Sequence, residues 1–156
     1  MSRLYARAKG GQRADDAIPL SKGETTTMLS SMRLNGETAY TTFSGAVNGE
    51  RFKEYLRDIL APTLQPGDIV IMDNLRSHKV SGVAEIVEST GATVLYLPPY
   101  SPDFNPIEQM WSKIKAFLRK VKARTVDALL GAIPLAFDTV SNSDISGWFK
   151  HAGFSC

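Results

Sequence analysis

The chain has 156 residues, of which 43% are hydrophobic, so it is long and apolar enough to fold around a core and is not expected to be disordered. Its net charge of +2 permits a polyanionic partner without requiring one, and its single cysteine, Cys156, excludes an internal disulfide and favours a reducing cytosol. No apolar stretch approaches the roughly 20 residues of a membrane helix, and the basic N-terminus lacks the apolar run of a secretory signal.

The first predicted element is an antiparallel hairpin. Residues 1–24 are polar and are predicted to be irregular. Within residues 25–47, two runs rich in Thr, Val, Tyr and Phe then flank the pair Asn35-Gly36. An Asn-Gly pair between such runs is a strong hairpin signal, because the two-residue turn that it favours needs positive φ at both central residues.

A helix is predicted after the hairpin. The pair Asn48-Gly49 opens it, and Pro62 and Pro66 end it, because proline cannot continue a helix. Its apolar residues recur at helical spacing on one face, namely Phe52, Tyr55, Leu56, Ile59 and Leu60.

A βαβ unit is predicted over residues 69–97. Continuous apolar runs at 69–72 and 93–97 are typical of parallel strands that are buried on both faces. The segment 80–89 between them predicts a helix, and the crossover is expected to be right-handed. The proline-rich segment 98–102 that follows predicts a stiff, extended connection.

Helices are predicted over residues 106–150. The first is long and runs to about Lys122. A last helical region, 125–149, is predicted to break near Pro134 and again at 141–143. The chain is therefore predicted to be a single α/β domain with a mixed sheet.

Two carboxylates are the candidate catalytic residues. Asp73 lies at the carboxyl end of the predicted strand 69–72, the edge at which open α/β sheets bind ligands. Glu108 lies in the first turn of the long helix. Each has a structural alternative, since an Asp-Asn pair often opens a turn. For Glu108 the alternative is a capping box with Asn105 as the cap and Pro106 at the first helical position.

Three segments around these carboxylates carry a resemblance to a known family. They read GAVNGERF at residues 45–52, MDNLRSHK at 72–79 and LPPYSPDFNPIEQMW at 97–111. The chain resembles the catalytic domain of DDE transposases, in particular the bacterial insertion-sequence branch of the mariner-type superfamily.

The resemblance implies an RNase H-like fold, a mixed sheet flanked by helices, that cleaves DNA and transfers strands at the ends of a mobile element. It implies a site for two Mg²⁺ or Mn²⁺ ions, in which Asp73 is the second acid and Glu108 is the third. Mobile-element ends and target DNA are the implied partners, with further copies of the protein in a synaptic complex. The implied location is the bacterial cytoplasm, in association with the nucleoid.

The resemblance also implies a first acid that is not found at a matching position. The family carries it on the first, central strand in an Asp-Glu-x-Gly setting, shortly before the segment that here spans residues 3–8. Because Met1 falls after that point, the first strand is expected to be missing. Asp15 and Asp16 are nearby, but they lie in a polar stretch. The alternative function is therefore an inactive, truncated remnant that at most binds DNA or partner subunits without specificity.

Candidate DNA-binding residues surround the two acids. Glu108 heads a stripe at helical spacing that continues through Ser112, Lys115, Arg119 and Lys122, which suits a passing phosphate backbone but equally a solvated helix face. The other candidates are Asn74, Arg76, His78, Lys79 and Asn105. For His78, a solvent-facing or capping role in a turn is the favoured alternative.

Overall fold

The computed structural model of the chain describes residues 25–154. The segment 1–24, which was predicted to be irregular, lies outside the described residues. The acids Asp15 and Asp16 lie outside them for the same reason.

Two compact units are present. The larger unit comprises residues 25–109 and 141–154, and the smaller unit comprises residues 110–140. The strands of the described residues all belong to the larger unit, where they form two separate two-stranded sheets. This mixture of strands and helices confirms the predicted α/β class, whereas a single domain over the whole chain stays a prediction.

The first sheet is the predicted hairpin. Strands β1 (Thr26–Met32) and β2 (Thr38–Ser44) pair antiparallel, with Met32 opposite Thr38. The strand β2 is shorter than the predicted run, because Gly45 takes a φ of 88°, which ends the extended backbone.

The turn of the hairpin differs from the prediction. The N–H of Arg33 donates to the carbonyl of Glu37 at 2.8 Å, and the N–H of Gly36 donates to the carbonyl of Arg33 at 3.1 Å. The loop therefore has three residues, and Gly36 alone takes a positive φ, of 98°. The prediction of positive φ at Asn35 is wrong, because its side chain instead accepts the N–H of Glu37 and fixes a right-handed turn before the glycine.

The predicted helix after the hairpin is present in three pieces. Helix α1 (Gly49–Tyr55) begins after Asn48, whose side chain caps a backbone N–H of the first turn. A π-helical turn, Leu56–Leu60, and a 3-10 turn, Ala61–Thr63, complete it. The apolar face is buried as predicted, at Phe52, Tyr55, Leu56 and Leu60.

The second sheet is the predicted parallel pair. Strand β3 (Ile69–Met72) pairs in register with β4 (Thr93–Tyr96), and helix α2 (Val83–Glu88) connects them. Helix α2 begins three residues later than predicted, because Val80 is extended and Gly82 takes a left-handed φ of 95°.

Only one face of this second sheet is buried. Val70 and Val94 pack against the core, whereas Ile69 is 65% exposed and Leu95 is 50% exposed. The prediction of strands buried on both faces is therefore wrong. A continuous apolar run cannot distinguish the two cases, because the burial of the second face depends on what packs against it.

The core of the larger unit brings the two sheets together. It is built from α1, α2 and the second sheet, and Leu29 of β1 packs against it. Arg33, after β1, forms a two-point ion pair with Asp68, before β3, at 2.7 and 2.8 Å. Within residues 25–154 no strand joins the two sheets.

The connection after β4 is turned rather than extended. Tyr100 takes a φ of 57° and is fully exposed, and Pro102–Phe104 form a 3-10 turn. The prediction of an extended connection is therefore wrong. Proline restricts the residue that precedes it, and Tyr100 is followed by Ser101, so it is not restricted in this way.

The long helix α3 (Ile107–Val121) is present within one residue of its predicted ends. Its apolar stripe is buried at Met110, Ile114 and Leu118.

Helix α4 (Val126–Asp138) of the smaller unit runs through Pro134 without a break. The predicted break there is wrong, because the proline removes one backbone hydrogen bond while its neighbours stay buried, as at Ile133. The ring of Trp111 meets that of Phe137 edge to face at 6.3 Å.

The second predicted break is present slightly earlier in the chain, between α4 and α5 (Asn142–His151). Helix α5 begins with a complete capping box, in which the Ser141 and Asp144 side chains each bind the other's backbone N–H. Among the described residues, no helix combines the length and apolar character of a membrane span.

Candidate active site

Asp73 directly follows β3, at the carboxyl end of the strand. The backbone hydrogen bonds between β3 and β4 continue to the residue before Asp73, since the N–H of Leu97 donates to the carbonyl of Met72 at 2.8 Å. Oδ1 of Asp73 accepts the N–H of Leu75 at 3.3 Å, so the turn predicted as a structural alternative is present. The side chain is 38% exposed, and within residues 25–154 its Oδ2 makes no hydrogen bond.

His78 packs directly against Asp73. Its Nδ1 lies 2.6 Å from Asp73 Oδ1, and its ring stacks on Phe52 with centroids 4.2 Å apart and planes 27° apart. Despite this short distance the contact does not meet hydrogen-bond geometry, and Nδ1 is buried without a hydrogen-bond partner in the described residues. The His78 side chain is only 16% exposed, and a solvent-facing turn histidine is therefore the wrong interpretation.

Strand β4 holds the backbone of the same turn. The hydroxyl of Tyr96 donates to the carbonyl of His78 at 2.8 Å. Burial raises the pKa of Tyr96, and the carboxylates of Glu85 and Glu88 raise it further, so the hydroxyl keeps its proton and remains a donor.

Helix α1 approaches this turn closely. A Cβ on Gly49 would lie 2.6 Å from Cγ2 of Val80, the residue that follows the 3-10 turn Arg76–Lys79. Glycine is therefore the residue that fits at the start of α1 without displacing the turn. Phe52 lies on the next turn of the same helix. The sequence analysis missed this packing, although Gly49 and Phe52 both belong to a segment that carries the family resemblance.

Glu108 is in the first turn of α3, and its predicted capping box is not formed. Asn105 does act as a cap, since its Oδ1 accepts the N–H of Ile107 at 3.4 Å. The N–H of Asn105, however, donates to the carbonyl of Pro102 at 3.0 Å instead of to Glu108. Glu108 is exposed, and its carboxylate has no hydrogen bond or ion pair within the described residues.

Asp73 and Glu108 both belong to the larger unit and follow neighbouring parallel strands. Asp73 comes after β3, and the connection to Glu108 leaves the same edge of the sheet from β4. The close approach of their carboxyl groups stays a prediction.

The residues next to both acids offer further oxygen atoms. Asn74 Oδ1 and Gln109 Oε1 are buried without a hydrogen-bond partner. A buried oxygen without a donor is costly unless water or a cation satisfies it. Oxygen donors of this kind suit a divalent cation such as Mg²⁺. In the described part of the chain, no cluster of three or more His, Cys, Asp or Glu residues is suited to a metal.

Exposed cations lie on two elements near the acids in sequence. Arg76 and Lys79 are exposed in the turn after Asp73, and Lys79 Nζ lies 5.7 Å from the centre of the Tyr96 ring. On α3, Ser112, Lys115 and Arg119 are all exposed, as the predicted stripe requires. Lys122 lies beyond the helix with a φ of 51°, so it does not continue the helical face.

Comparison with known proteins identifies the fold. The sequence model of the DDE superfamily endonuclease family matches residues 1–130. The solved Mos1 transposase paired-end complex with left transposon end is similar with a TM-score of 0.75 and 19% identity, over 97% of this chain and 47% of that chain. The Mos1 mariner paired end complex with Mn is similar with a TM-score of 0.74 and 17% identity, over 97% of this chain and 48% of that one.

The chain spans about half the length of these Mos1 transposase chains. The isolated catalytic domain of Mos1 mariner transposase matches with a TM-score of 0.54 and 14% identity, over 82% of this chain and 74% of that chain. Curated proteins give no match. At these identities the likeness establishes the fold, which confirms the RNase H-like type expected from the motifs.

Proposed function

Because the chain belongs to the DDE superfamily endonuclease family, we propose that it is part of a transposase catalytic domain. Its reaction is metal-dependent cleavage and strand transfer of DNA at the ends of a mobile element. One observation carries this proposal. Asp73 and Glu108 follow the carboxyl ends of neighbouring parallel strands, and each keeps at least one carboxylate oxygen without a structural partner among residues 25–154.

Divalent cations are the proposed cofactor, with Mg²⁺ or Mn²⁺ in a two-metal site. The donor set fits them, since carboxylate and amide oxygens are hard ligands and Asn74 Oδ1 lies buried without a donor beside Asp73. When bound, such cations activate the attacking oxygen and stabilise the leaving oxygen of a phosphodiester. One of the similar solved structures is the Mos1 mariner paired end complex with Mn.

The chain's own residues then have separate tasks. Asp73, as the second acid, offers Oδ2 while its Oδ1 is held by the turn. Glu108, as the third acid, is exposed at the start of α3, where the helix dipole stabilises its charge. Neither carboxylate forms an ion pair with a lysine or arginine side chain in the described part, so both are available as metal ligands.

DNA is the proposed partner, through contacts to its phosphate backbone. Lys115 and Arg119 are exposed on α3, and Arg76 and Lys79 are exposed in the turn after Asp73. Lysine and arginine at such positions provide affinity without sequence preference. Further proposed contacts come from Asn74, His78, Asn105 and Lys122.

Assembly is proposed from the same relatives, and location from the resemblance to the bacterial insertion-sequence branch. Two of the similar solved Mos1 structures are a paired-end complex and a strand transfer complex. We infer that this protein also acts as a homo-oligomer on paired DNA ends, in the bacterial cytoplasm and in association with the nucleoid.

The alternative, an inactive remnant that at most binds DNA or partner subunits, is favoured by one observation. Within residues 25–154 no third acid joins Asp73 and Glu108, and no strand joins the two sheets. Two acids leave two metals short of ligands.

Nicking of supercoiled DNA by the 156-residue chain with Mg²⁺ or Mn²⁺ distinguishes the two functions. The same assay on a longer chain that carries an Asp-Glu-x-Gly strand provides the comparison. The proposed function predicts metal-dependent nicking, at least by the longer chain, that is lost in Asp73→Asn and Glu108→Gln and kept in the charge-matched control Asp138→Asn. No nicking by either chain would favour the remnant. Nicking by the short chain would instead indicate that Asp15 or Asp16 serves as the first acid.

A further inference from the structure

We propose that His78 is a positioning residue for Asp73. The His78 ring, stacked on Phe52, would hold Oδ1 of the carboxylate and leave Oδ2 available to a cation. This inference rests on the proposed function, because it concerns the same carboxylate. It assigns His78 a role that acts through Asp73, in addition to the direct DNA contact proposed above.

The distance between the two side chains determines where the histidine proton lies. Nδ1 of His78 and Oδ1 of Asp73 are 2.6 Å apart. Two lone pairs at that distance would repel each other, so a proton must lie on one of the two atoms. We assign the proton to His78 Nδ1, because a neutral imidazole can carry its single N–H on this nitrogen and a carboxylate oxygen can accept it. Nδ1 is buried and has no other partner in the described residues, so Asp73 is the group that stabilises this tautomer.

The histidine ring is held in place from two sides. Phe52, which is only 5% exposed, stacks on one face of it. The Tyr96 hydroxyl holds the carbonyl of His78 from strand β4. The close approach of Gly49 to Val80 brings α1, and with it Phe52, against this turn. A ring held in this way keeps its Nδ1 next to Oδ1 of Asp73.

This contact leaves the two oxygens of the Asp73 carboxylate in different surroundings. Oδ1 faces His78 and also accepts the N–H of Leu75, whereas Oδ2 has no partner in the described part of the chain. A carboxylate held by one oxygen loses less rotational freedom when the other binds a metal. The clamp, defined as Phe52, His78 and Asp73, therefore prepares a one-oxygen ligand.

Nitrogen-15 NMR of the metal-free chain tests the clamp itself. The chain has two histidines, His78 and His151, and the exposed His151 is an internal reference. We expect His78 to be protonated on Nδ1, and we expect this preference to disappear in Asp73→Leu, which removes the acceptor. A bare Nδ1 on His78, or the same His78 spectrum in Asp73→Leu, would overturn the clamp whatever the protein does with DNA.

Titration of the chain with Mn²⁺ tests whether the clamp positions a metal ligand. We expect His78→Leu to weaken Mn²⁺ binding about 10- to 100-fold, the range for outer-shell partners of metal ligands. His78→Asn keeps an amide donor close to the place of Nδ1 and should recover part of that loss. Phe52→Leu keeps an apolar side chain but removes the ring, and it should weaken binding less than His78→Leu does.

The controls separate positioning from folding. His151→Leu should bind Mn²⁺ as the unsubstituted chain does. A purely structural His78 would make His78→Asn no better than His78→Leu, with affinity following the melting temperature, and that result would overturn the proposal. Failure of both the unsubstituted chain and the longer chain with the Asp-Glu-x-Gly strand to bind Mn²⁺, with Nδ1 protonated, would overturn the proposed function together with the positioning role. A bare Nδ1 would overturn only the clamp.

Discussion

The backbone N–H of Asn105 donates to the carbonyl of Pro102 at 3.0 Å, and this bond takes the donor that a capping box would have given to Glu108. Glu108 is left exposed at the start of α3, with no structural partner among residues 25–154. Its carboxylate therefore has little to contribute to folding.

Replacing Glu108 should separate stability from metal binding. We expect Glu108→Gln to change the free energy of unfolding by no more than about 0.5 kcal/mol, as for an unpartnered surface residue, while Mn²⁺ affinity falls. Asp144→Ala is the matched control, because Asp144 completes a real capping box with Ser141, and it should cost about 1 kcal/mol. Urea denaturation and Mn²⁺ titration measure the two effects. A loss of stability in Glu108→Gln as large as that in Asp144→Ala would show that Glu108 is a cap after all.

The carboxyl groups of Asp73 and Glu108 should lie within about 10 Å of each other, the reach of a two-metal site. In a Cys156→Ser background, cysteines at positions 73 and 108 should be joined efficiently by a short bifunctional thiol reagent. Cysteine at Ile69, exposed at the other end of β3, is the control partner for position 108 and should react poorly. Equal yields for the two pairs, read by mass spectrometry, would contradict a shared site.

The cations of the α3 stripe should contribute to DNA affinity by neutralising backbone phosphates. Replacing Lys115, Arg119 and Lys122 by Gln should weaken binding and reduce the slope of log affinity against log salt by roughly 0.9 for each phosphate that is no longer neutralised. Lys122 should contribute least, because it lies beyond the helix. Fluorescence anisotropy at several salt concentrations measures the slope.

The control for that experiment removes the same charge from other exposed positions, Lys120, Arg124 and Lys150. Its salt slope should stay closer to that of the unsubstituted chain. An equal reduction in the two triple variants would mean that net charge, and not the stripe, governs binding.

The ion pair between Arg33 and Asp68 should make stability depend on pH. The hydrogen bonds from Arg33 and, less strongly, from the N–H of Gln65 hold the pKa of Asp68 below its ordinary value of 3.8. A folded-state pKa below the unfolded value means that this stabilisation is present above pH 3.8 and is lost as the pH falls through the lowered pKa.

Arg33→Met should therefore lower the free energy of unfolding by about 1 kcal/mol near neutral pH and flatten its decrease in acid. Thermal melts from pH 2 to pH 7 measure this difference. Glu37→Gln is the control, because the Glu37 carboxylate is 3.8 Å from Arg33 and 68% exposed, and it should change little. An unchanged acid profile in Arg33→Met would exclude the pair as its origin.

The same glycine substitution should have opposite effects at two positions. Gly49→Ala places a methyl group 2.6 Å from Val80 and should cost about 1–3 kcal/mol, as overpacking does. Gly147→Ala, inside α5 with open space around it, should stabilise by about 0.5–1 kcal/mol. Chemical denaturation compares them. A neutral Gly49→Ala would show that α1 need not approach the His78 turn so closely.

The sequence by itself determined the order of the elements and the positions of the two acids along the chain. The apolar runs that became β3 and β4 and the stripe of α3 are local patterns, since backbone periodicity fixes which side chains share a face. Asp73 follows β3 and Glu108 begins α3 for the same reason. The motifs around them indicate the family without any information on distances.

Only the tertiary structure decided how the side chains around those acids are used. Three residues between Arg33 and Glu37, and not two, close the hairpin, because the register of the strands fixes the loop. Asn105 gives its N–H to Pro102, and the ring of His78 lies between Phe52 and Asp73. In each case several nearby groups could be the hydrogen-bond or packing partner, and the folded chain selects one of them. Sequence spacing describes neighbours along one element, whereas such competition is settled between elements that packing brings together.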